Sequence, residues 1–393
     1  MPELGEVAHA TAILRRFLTG KVIKSVTAQD DSIVLVAPLT KSVLETSLIG
    51  HKFQSFDRHG KLFWASLEDS SMKLLMHFGM TGWVVIKGYT TEHIVMENGG
   101  DKKALEKSIT NTEVIETQPQ IIEAPDQEWP PRFWKFLITT EDGTEMAFID
   151  ARRLARVRLL TAETTSDLML QEPLVRSGPD YSIPDSVHKP ILTKTAFLAL
   201  LKSRTAAIKS FLMDQAFFAG IGNWVADELL FQARIHPAQP TNTIPDDKAE
   251  LLYDTLLYVC SYVVKVEGNT QAFPKNWLML YRWGKTRAKK EVQKTNEGYS
   301  VSFVTVGGRT SSYVSELQKL IGTGGNKRKK APAVKKEASR EDDGEEESKY
   351  FQSKTAPKRT KRVKVEEMTI STNTTTNKTQ RRTRSSIRVK TET

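Results

Sequence analysis

The first twenty residues predict one amphipathic helix. Apolar side chains recur three or four positions apart, which is the spacing of the buried face of a helix. Gly20 follows the last of them and is placed to end the helix, because glycine readily adopts the left-handed backbone found there. The apolar positions are Val7, Ala10, Ile13, Leu14 and Phe17.

After this helix the pattern changes to short runs of β-branched and aromatic residues, which predict strands. Residues 97–131 interrupt the runs with a polar stretch of little periodicity, and we expect a mobile insertion there. Residues 1–158 are therefore predicted to form an N-terminal domain with a leading helix and a β-sandwich or barrel, of which we favour the β-sandwich. The predicted strands are 33–37, 63–67, 73–77, 83–86, 133–139 and 145–149.

From about Thr161 the apolar spacing becomes helical again, so residues 159–280 are predicted to form a helical domain. A hairpin with the turn Gly307-Gly308 is expected within residues 281–322. Residues 323–393 contain few apolar side chains and are expected to be disordered. The fold class is thus α+β. The predicted helices are 196–201, 208–218, 224–233 and 248–266, and the hairpin strands are 299–306 and 309–314.

Charge separates the tail from the rest of the chain. The net charge is +10, and residues 324–393 hold 20 of the 57 basic and 10 of the 47 acidic residues. The remainder is balanced, so the excess lies in the tail and favours a polyanionic partner. No apolar run is long enough to cross a membrane, and no targeting segment is evident at the start. The single cysteine, Cys260, excludes an intramolecular disulfide and any zinc site with several thiolates.

The chain starts with a candidate nucleophile. Removal of Met1 would give Pro2 a free secondary amine, which can attack the C1′ carbon of a deoxyribose and form an iminium. Glu3 is next to it and could transfer protons to the opening sugar ring. By themselves these residues are ambiguous, because proline also suits the first turn of a helix.

The wider context favours the catalytic interpretation. Met1-Pro2-Glu3-Leu4-Gly5-Glu6-Val7 resembles the start of formamidopyrimidine-DNA glycosylases, in which a second proline usually stands at the position of Gly5. The resemblance implies that Pro2 is the nucleophile, Glu3 the proton shuttle and Glu6 a supporting acid. Leu4 is typical of the branch that acts on purines.

Two further segments resemble parts of the same family. Residues 57–63 are similar to the turn and strand that carry the essential lysine, which implies that Lys61 holds a phosphate and assists elimination. Residues 76–82 resemble the segment with the first void-filling residue, here Met80, which would occupy the gap left by a flipped base.

Residues 150–154 are similar to the family's Asp-Pro-Arg-Arg-Phe loop. Arg152 would enter the duplex opposite the lesion, and Leu154 stands where the family usually has phenylalanine. Leucine cannot stack on a base as an aromatic ring does, so lesion searching and opposite-base choice are expected to differ.

Residues 214–237 are the most specific match and resemble the helix–two-turns–helix signature. Gly220 and Gly222 allow a sharp turn, and a helix predicted to begin near Asn223 would direct its N–H groups at a phosphate. Lys209 fits a second phosphate contact.

The predicted hairpin resembles the finger of the zincless branch found in plants and fungi. Bacterial relatives usually end in a four-cysteine zinc finger, which this chain cannot build. Arg309 would contact the phosphates beside the flipped nucleotide. No metal and no cofactor are expected.

The resemblance covers roughly residues 1–322 and implies a base-excision-repair glycosylase and abasic-site lyase. Such an enzyme would remove oxidised purines from double-stranded DNA through an N-terminal proline iminium and β,δ-elimination. We expect a monomer that binds no membrane. Basic clusters at 327–330 and 357–362 favour import into the nucleus, although they also suit a DNA-tethering arm.

Three alternatives remain at this point. An oxidised-pyrimidine glycosylase would keep the fold and change the substrate. A damaged-DNA-binding protein would have lost the chemistry. A transcription or chromatin factor would act through the basic tail.

Overall fold

The computed structural model describes residues 2–91, 109, 118–282 and 293–322, all within the first of two compact units, Met1–Asp343. The predicted disordered tail, 323–393, and most of the predicted insertion, 97–131, lie outside these residues. Within the described part of the chain, no helix combines the length and apolar character needed to cross a membrane.

The N-terminal half is a β-sandwich led by a helix, as predicted. Helix α1 spans Leu4–Leu18, and the chain turns at Gly20 with φ +80°. Two four-stranded antiparallel sheets have the orders β1-β8-β9-β5 and β10-β4-β3-β2. Their facing side chains and α1 share one apolar core. The strands are β1 Ile23–Ala28, β2 Phe53–His59, β3 Leu62–Leu67, β4 Met72–His77, β5 Trp83–Ile86, β8 Trp134–Thr140, β9 Glu145–Ile149 and β10 Arg156–Thr161, with helix α2 at Lys41–Ser47.

One predicted strand of this domain needs correction. Residues 33–37 are not a strand, since only Leu35 makes an isolated bridge, to Val157. Within the predicted insertion, β7 (Ile121–Glu123) pairs with β6 (Tyr89–Thr91), and the predicted mobility stays a prediction. Strands β1, β2 and β10 were not predicted, since their polar and charged residues weaken the apolar pattern.

The second half is helical and has its own apolar core. The predicted helix 208–218 is shorter, ending at Leu212, and tight turns follow it up to Gly222. The other predicted helices lie within two residues of their observed bounds. The helices are α3 Thr165–Met169, α4 Lys194–Lys202, α5 Ile208–Leu212, α6 Asn223–Gln232 and α7 Asp246–Lys265, with 3₁₀ turns at Leu174–Arg176, Thr241–Thr243, Thr270–Ala272 and Leu278–Tyr281.

The predicted hairpin is present at the end of the described chain. Strand β11 (Val301–Val306) pairs antiparallel with β12 (Arg309–Val314). The two turn glycines have φ +59° and +77°, a conformation that requires left-handed backbone at both positions. The Gly307-Gly308 dipeptide therefore determines this turn.

The register of one sheet gathers three loops at one edge. Leu62, the first residue of β3, pairs with His77, the last of β4, and His77 also pairs with Arg156, the first of β10. The residue before β3, the loop after β4 and the loop before β10 therefore leave the sheet side by side. These segments contain Lys61, Met80, Arg152 and Leu154.

Candidate functional site

The carboxylate of Glu3 lies at the N-terminus of α6. Its two oxygens accept the backbone N–H groups of Trp224 and Val225 at 2.9 and 3.1 Å, and the side chain is buried. The first N–H groups of a helix have no intrahelical acceptor, and the helix dipole favours an anion there. From the sequence, we predicted that the N–H groups at this helix start bind a phosphate. In the structure, two of them donate to Glu3.

Gly222 provides the space for this contact. A Cβ at Gly222 would stand 2.2 Å from the carboxyl carbon of Glu3, far inside van der Waals contact. Its φ of −125° is accessible to any residue, so the requirement for glycine is one of space.

Glu6 lies in the same buried corner as Glu3. It accepts the indole N–H of Trp224 at 3.1 Å and the backbone N–H of Glu3 at 3.3 Å. Burial and the nearby carboxylate of Glu3 raise the pKa of Glu6 to about 8. At neutral pH Glu6 is therefore mainly neutral.

Lys61 reaches the same turn from the sandwich. Its ammonium group donates to the carbonyl oxygen of Ile221 at 3.0 Å, and the side chain is buried. The preceding residue, Gly60, lies directly against Gly220, since a Cβ on Gly60 would stand 2.7 Å from the nitrogen of Gly220. The two glycines let the two halves of the molecule approach closely at Lys61.

Asp180, in the segment between the two halves, holds the Lys61 turn in place. It is fully buried and accepts the backbone N–H of Gly60 at 2.8 Å and the guanidinium of Arg58 at 2.7 Å. Burial would raise its pKa, but Arg58 and the hydrogen bonds from Ser182 and Gly60 outweigh burial and lower it. Sequence analysis missed Asp180, because nothing in the sequence places it beside residues 120 positions away.

The segments with Met80, Arg152 and Leu154 meet at the sheet edge. A Cβ on Gly79 would lie 2.3 Å from the carbonyl carbon of Leu154, so these backbones touch. The hydroxyl of Thr81 accepts the N–H of Arg152 at 3.2 Å. Met80 and Leu154 are half-buried and Arg152 is exposed, so the structure brings together the three residues predicted to fill the void.

The two arginines of this loop have separate surroundings. Arg153 makes a two-pronged ion pair with Asp31, both contacts being 2.9 Å, and has φ +56°. The buried carboxylate of Asp150 accepts the N–H groups of Arg152 and Ala155, which fixes the loop backbone. Arg152 thus lies on a loop whose backbone is fixed by Asp150 and whose next residue, Arg153, is fixed by Asp31.

Asn223 and Arg309 lie at the junction of α6 and the hairpin. The amide of Asn223 donates to the carbonyl oxygen of Thr310 at 3.2 Å, and the neighbouring Arg309 is exposed. Their predicted phosphate contacts stay predictions.

Lys209 is placed differently from what the motif suggested. It is fully buried, forms an ion pair with Asp227, and donates to the carbonyl oxygen of Asn223 at 2.6 Å. Burial lowers the pKa of Lys209, and Asp227 partly offsets that effect. Because its ammonium group faces Asp227, the geometry favours a structural role over the predicted phosphate contact.

The site as a whole is formed where the start of the chain meets the helical half. Pro2 is buried immediately before Glu3, the residue at the N-cap of α1. Glu3 and Lys61 both contact residues 221–225. Among the described residues, no cluster of three or more His, Cys, Asp or Glu side chains is arranged to hold a metal ion.

Comparison with known proteins finds relatives that match most of the chain. Residues 1–157 match the formamidopyrimidine-DNA glycosylase N-terminal domain, and residues 184–275 match the H2TH domain of the same glycosylases. A formamidopyrimidine-DNA glycosylase of Arabidopsis thaliana is 34% identical over 345 residues, covering 88% of this chain and 78% of that protein. One from Thermomicrobium roseum is 30% identical over 292 residues, covering 73% and 84% of the two chains.

Solved structures show the same fold. Lactococcus lactis formamidopyrimidine-DNA glycosylase bound to abasic-site DNA has a TM-score of 0.58 at 21% identity, covering 81% of this chain and 99% of that one. Its complex with DNA containing a formamidopyrimidine lesion gives a TM-score of 0.59, also at 21% identity, with 81% and 100% covered. Together with the sequence matches, these findings show that the chain belongs to the formamidopyrimidine-DNA glycosylase family.

Proposed function

We propose that this protein is a base-excision-repair enzyme that removes oxidised purines from double-stranded DNA and then cleaves the strand. The observation that carries the proposal is the convergence of Glu3 and Lys61 on one turn, 221–225, with Pro2 next to Glu3. Family membership supports the same reaction.

The order of the chemistry follows from the groups present. After removal of Met1, the amine of Pro2 attacks C1′ of the flipped nucleotide, and the bond from C1′ to the base nitrogen breaks. The base leaves with the bonding electrons and takes the proton that the attacking amine loses. The sugar ring then opens to give an iminium as its oxygen is protonated. Loss of a proton from C2′ then expels the 3′ phosphate, and a second elimination expels the 5′ phosphate.

Each acidic or basic side chain has a distinct task in this scheme. Glu3 takes up a proton from solvent and passes it to the ring oxygen, and its position is fixed by two backbone N–H groups. Lys61 binds a phosphate beside the lesion and helps elimination. Glu6 is largely uncharged at neutral pH, and it accepts the backbone N–H of Glu3, which helps to hold Glu3 in place.

The remaining proposed contacts hold distorted DNA. Met80, Arg152 and Leu154 would fill the gap left by the flipped nucleotide, because their segments meet at one sheet edge. Asn223 and the exposed Arg309 would bind the backbone. The proposed active site is complete within one chain, which supports a monomer, and the basic clusters at 327–330 and 357–362 support a nuclear location.

Borohydride trapping of the untagged protein tests this proposal. Duplexes would carry 8-oxoguanine, a formamidopyrimidine, a hydantoin, an oxidised pyrimidine or an abasic site. We expect a covalent complex with the purine lesions and the abasic site, and none when Pro2 is chemically blocked. Preferential trapping on the oxidised pyrimidine would change the substrate. Failure on every duplex, with Met1 shown to be absent, would leave a damaged-DNA-binding protein.

A further inference from the structure

The outer edge of the hairpin strand β12 is bound by side chains. The turn at 307–308 makes Val306 and Arg309 a hydrogen-bonded pair, so the bonded positions of β12 alternate and Ser312 falls between them. Its N–H therefore points away from β11. It donates instead to the carboxylate of Asp227 at 3.0 Å.

Helix α6 offers two side chains to this edge from one face. Asn223 and Asp227 are four residues apart, which places them one helical turn apart on the same side. Asn223 donates to the carbonyl oxygen of Thr310, and Asp227 accepts from Ser312 two residues further along β12. The spacing of the helical turn matches the two-residue repeat of the strand edge.

Asp227 is also the centre of a buried ionic cluster. It is 1% exposed, and its second oxygen accepts from Lys209 of α5. The guanidinium of Arg282 lies 3.0 Å from the oxygen that accepts Ser312. One carboxylate thus connects α5, α6, Arg282 at the end of the 3₁₀ turn Leu278–Tyr281, and the hairpin.

We propose that Asp227 is the positioning residue that fixes the hairpin on α6 and thereby sets the place of Arg309 relative to Asn223. The inference rests on the proposed function only for the DNA contact of Arg309. A carboxylate with three donors from separate segments can do by hydrogen bonding and charge what a four-cysteine zinc site does by coordination, and this chain has one cysteine. In this proposal, Lys209 stabilises the buried charge of Asp227 through their ion pair.

Hydrogen exchange of the DNA-free, full-length protein tests the docking directly. In the triple variant Asp227→Leu/Lys209→Met/Arg282→Met, apolar side chains replace all three charged groups of the cluster, a change that often leaves stability intact. We expect the amides of 301–314 to exchange at least about tenfold faster while the sandwich keeps its protection. Unchanged exchange of the hairpin relative to the matched control Tyr253→Phe would overturn the proposal.

Tyr253→Phe is a suitable control because it removes a hydrogen bond in the same helical half. Its hydroxyl donates to the carbonyl oxygen of Leu192 at 2.6 Å and does not involve the hairpin. Should the triple variant fail to fold, Asp227→Asn replaces it in the same measurement, since it keeps the shape of the side chain and removes its charge.

A double-mutant cycle then asks whether Asp227 acts through Arg309. Binding is measured on a duplex with a tetrahydrofuran abasic analogue, so catalysis is not involved. We expect Arg309→Ala to raise the Kd about tenfold in the otherwise unchanged protein, and to raise it much less when Asp227→Asn is also present. Additive effects would overturn the positioning role. If Arg309→Ala alone has no effect, the DNA contact of Arg309 fails, and hydrogen exchange still decides the docking.

Discussion

Glu3 and Gly222 approach so closely that a Cβ on residue 222 would stand 2.2 Å from the carboxyl carbon of Glu3. The first turn of α6 therefore binds the side chain of Glu3, which comes from the start of the chain. Glu3 precedes α1 and follows the proposed nucleophile, so any displacement of Glu3 also moves Pro2.

Gly222→Ala is expected to lower excision by about 10²-fold without unfolding the protein, because the added methyl group displaces Glu3. Excision of a formamidopyrimidine lesion under single-turnover conditions measures the effect. Gly143→Ala is the matched control, since Gly143 has φ +86° and nothing within 4 Å of an added Cβ. It should reduce stability by about 1 kcal/mol and leave excision unchanged. Equal rates for the two variants would contradict the role of Gly222.

Glu3→Gln is expected to reduce turnover by about 10²- to 10⁴-fold while binding to damaged duplex persists. The amide keeps the size of the side chain but loses its ability to exchange protons, and its nitrogen would face one N–H group of α6. Single-turnover rates and fluorescence anisotropy separate the two effects. Unchanged turnover would remove Glu3 from the mechanism.

Glu6 predicts a specific dependence of stability on pH. Its pKa is raised from 4.5 to about 8, so the folded state binds the proton more tightly than the unfolded state. This contribution is fully present below pH 4.5 and is lost as pH rises towards 8, by an amount of the order of a few kcal/mol. Urea unfolding from pH 4.5 to 9 should therefore show a smaller decline for Glu6→Gln, which is always neutral. Parallel curves for the two proteins would refute the assignment.

Gly5 differs from the proline expected in the family, and its surroundings explain why glycine suits this chain. An added Cβ would lie 2.5 Å from Cγ1 of Val263 and 3.2 Å from the Cα of Gly268. We expect Gly5→Ala to lower the free energy of unfolding by about 1–3 kcal/mol, despite the better helix propensity of alanine. In a Val263→Ala background the same change should cost less. A stabilised single variant would show that the contact relaxes freely.

Deletion of residues 323–393 is expected to leave excision in vitro intact. Every contact described for Glu3 and Lys61 lies within residues 2–322. Excision by the truncated chain should match that of the full chain at low salt, where the tail is not needed for DNA association. A truncated chain that folds but does not excise would favour a function carried by the tail.

The sequence by itself determined the local features. Apolar periodicity located α1 and helices α4 to α7, and Gly307-Gly308 determined the hairpin turn, because these depend on neighbouring residues. It did not locate the short helix α3. Motif order along the chain was enough to identify Pro2, Glu3 and Lys61 as candidates. It was not enough for β1, β2 and β10, whose pairing depends on partners that are distant in sequence.

Tertiary structure alone decided what each charged side chain does. Asp227 stood within a recognised motif without a role, and Lys209 had been given a phosphate that its buried position does not favour. Asp180 had no signal at all. The charge and pKa of a buried group depend on neighbours brought together by folding, whereas the sequence gives only residue type and spacing. The partnership of Glu3 with α6, across more than 200 residues, is of this second kind.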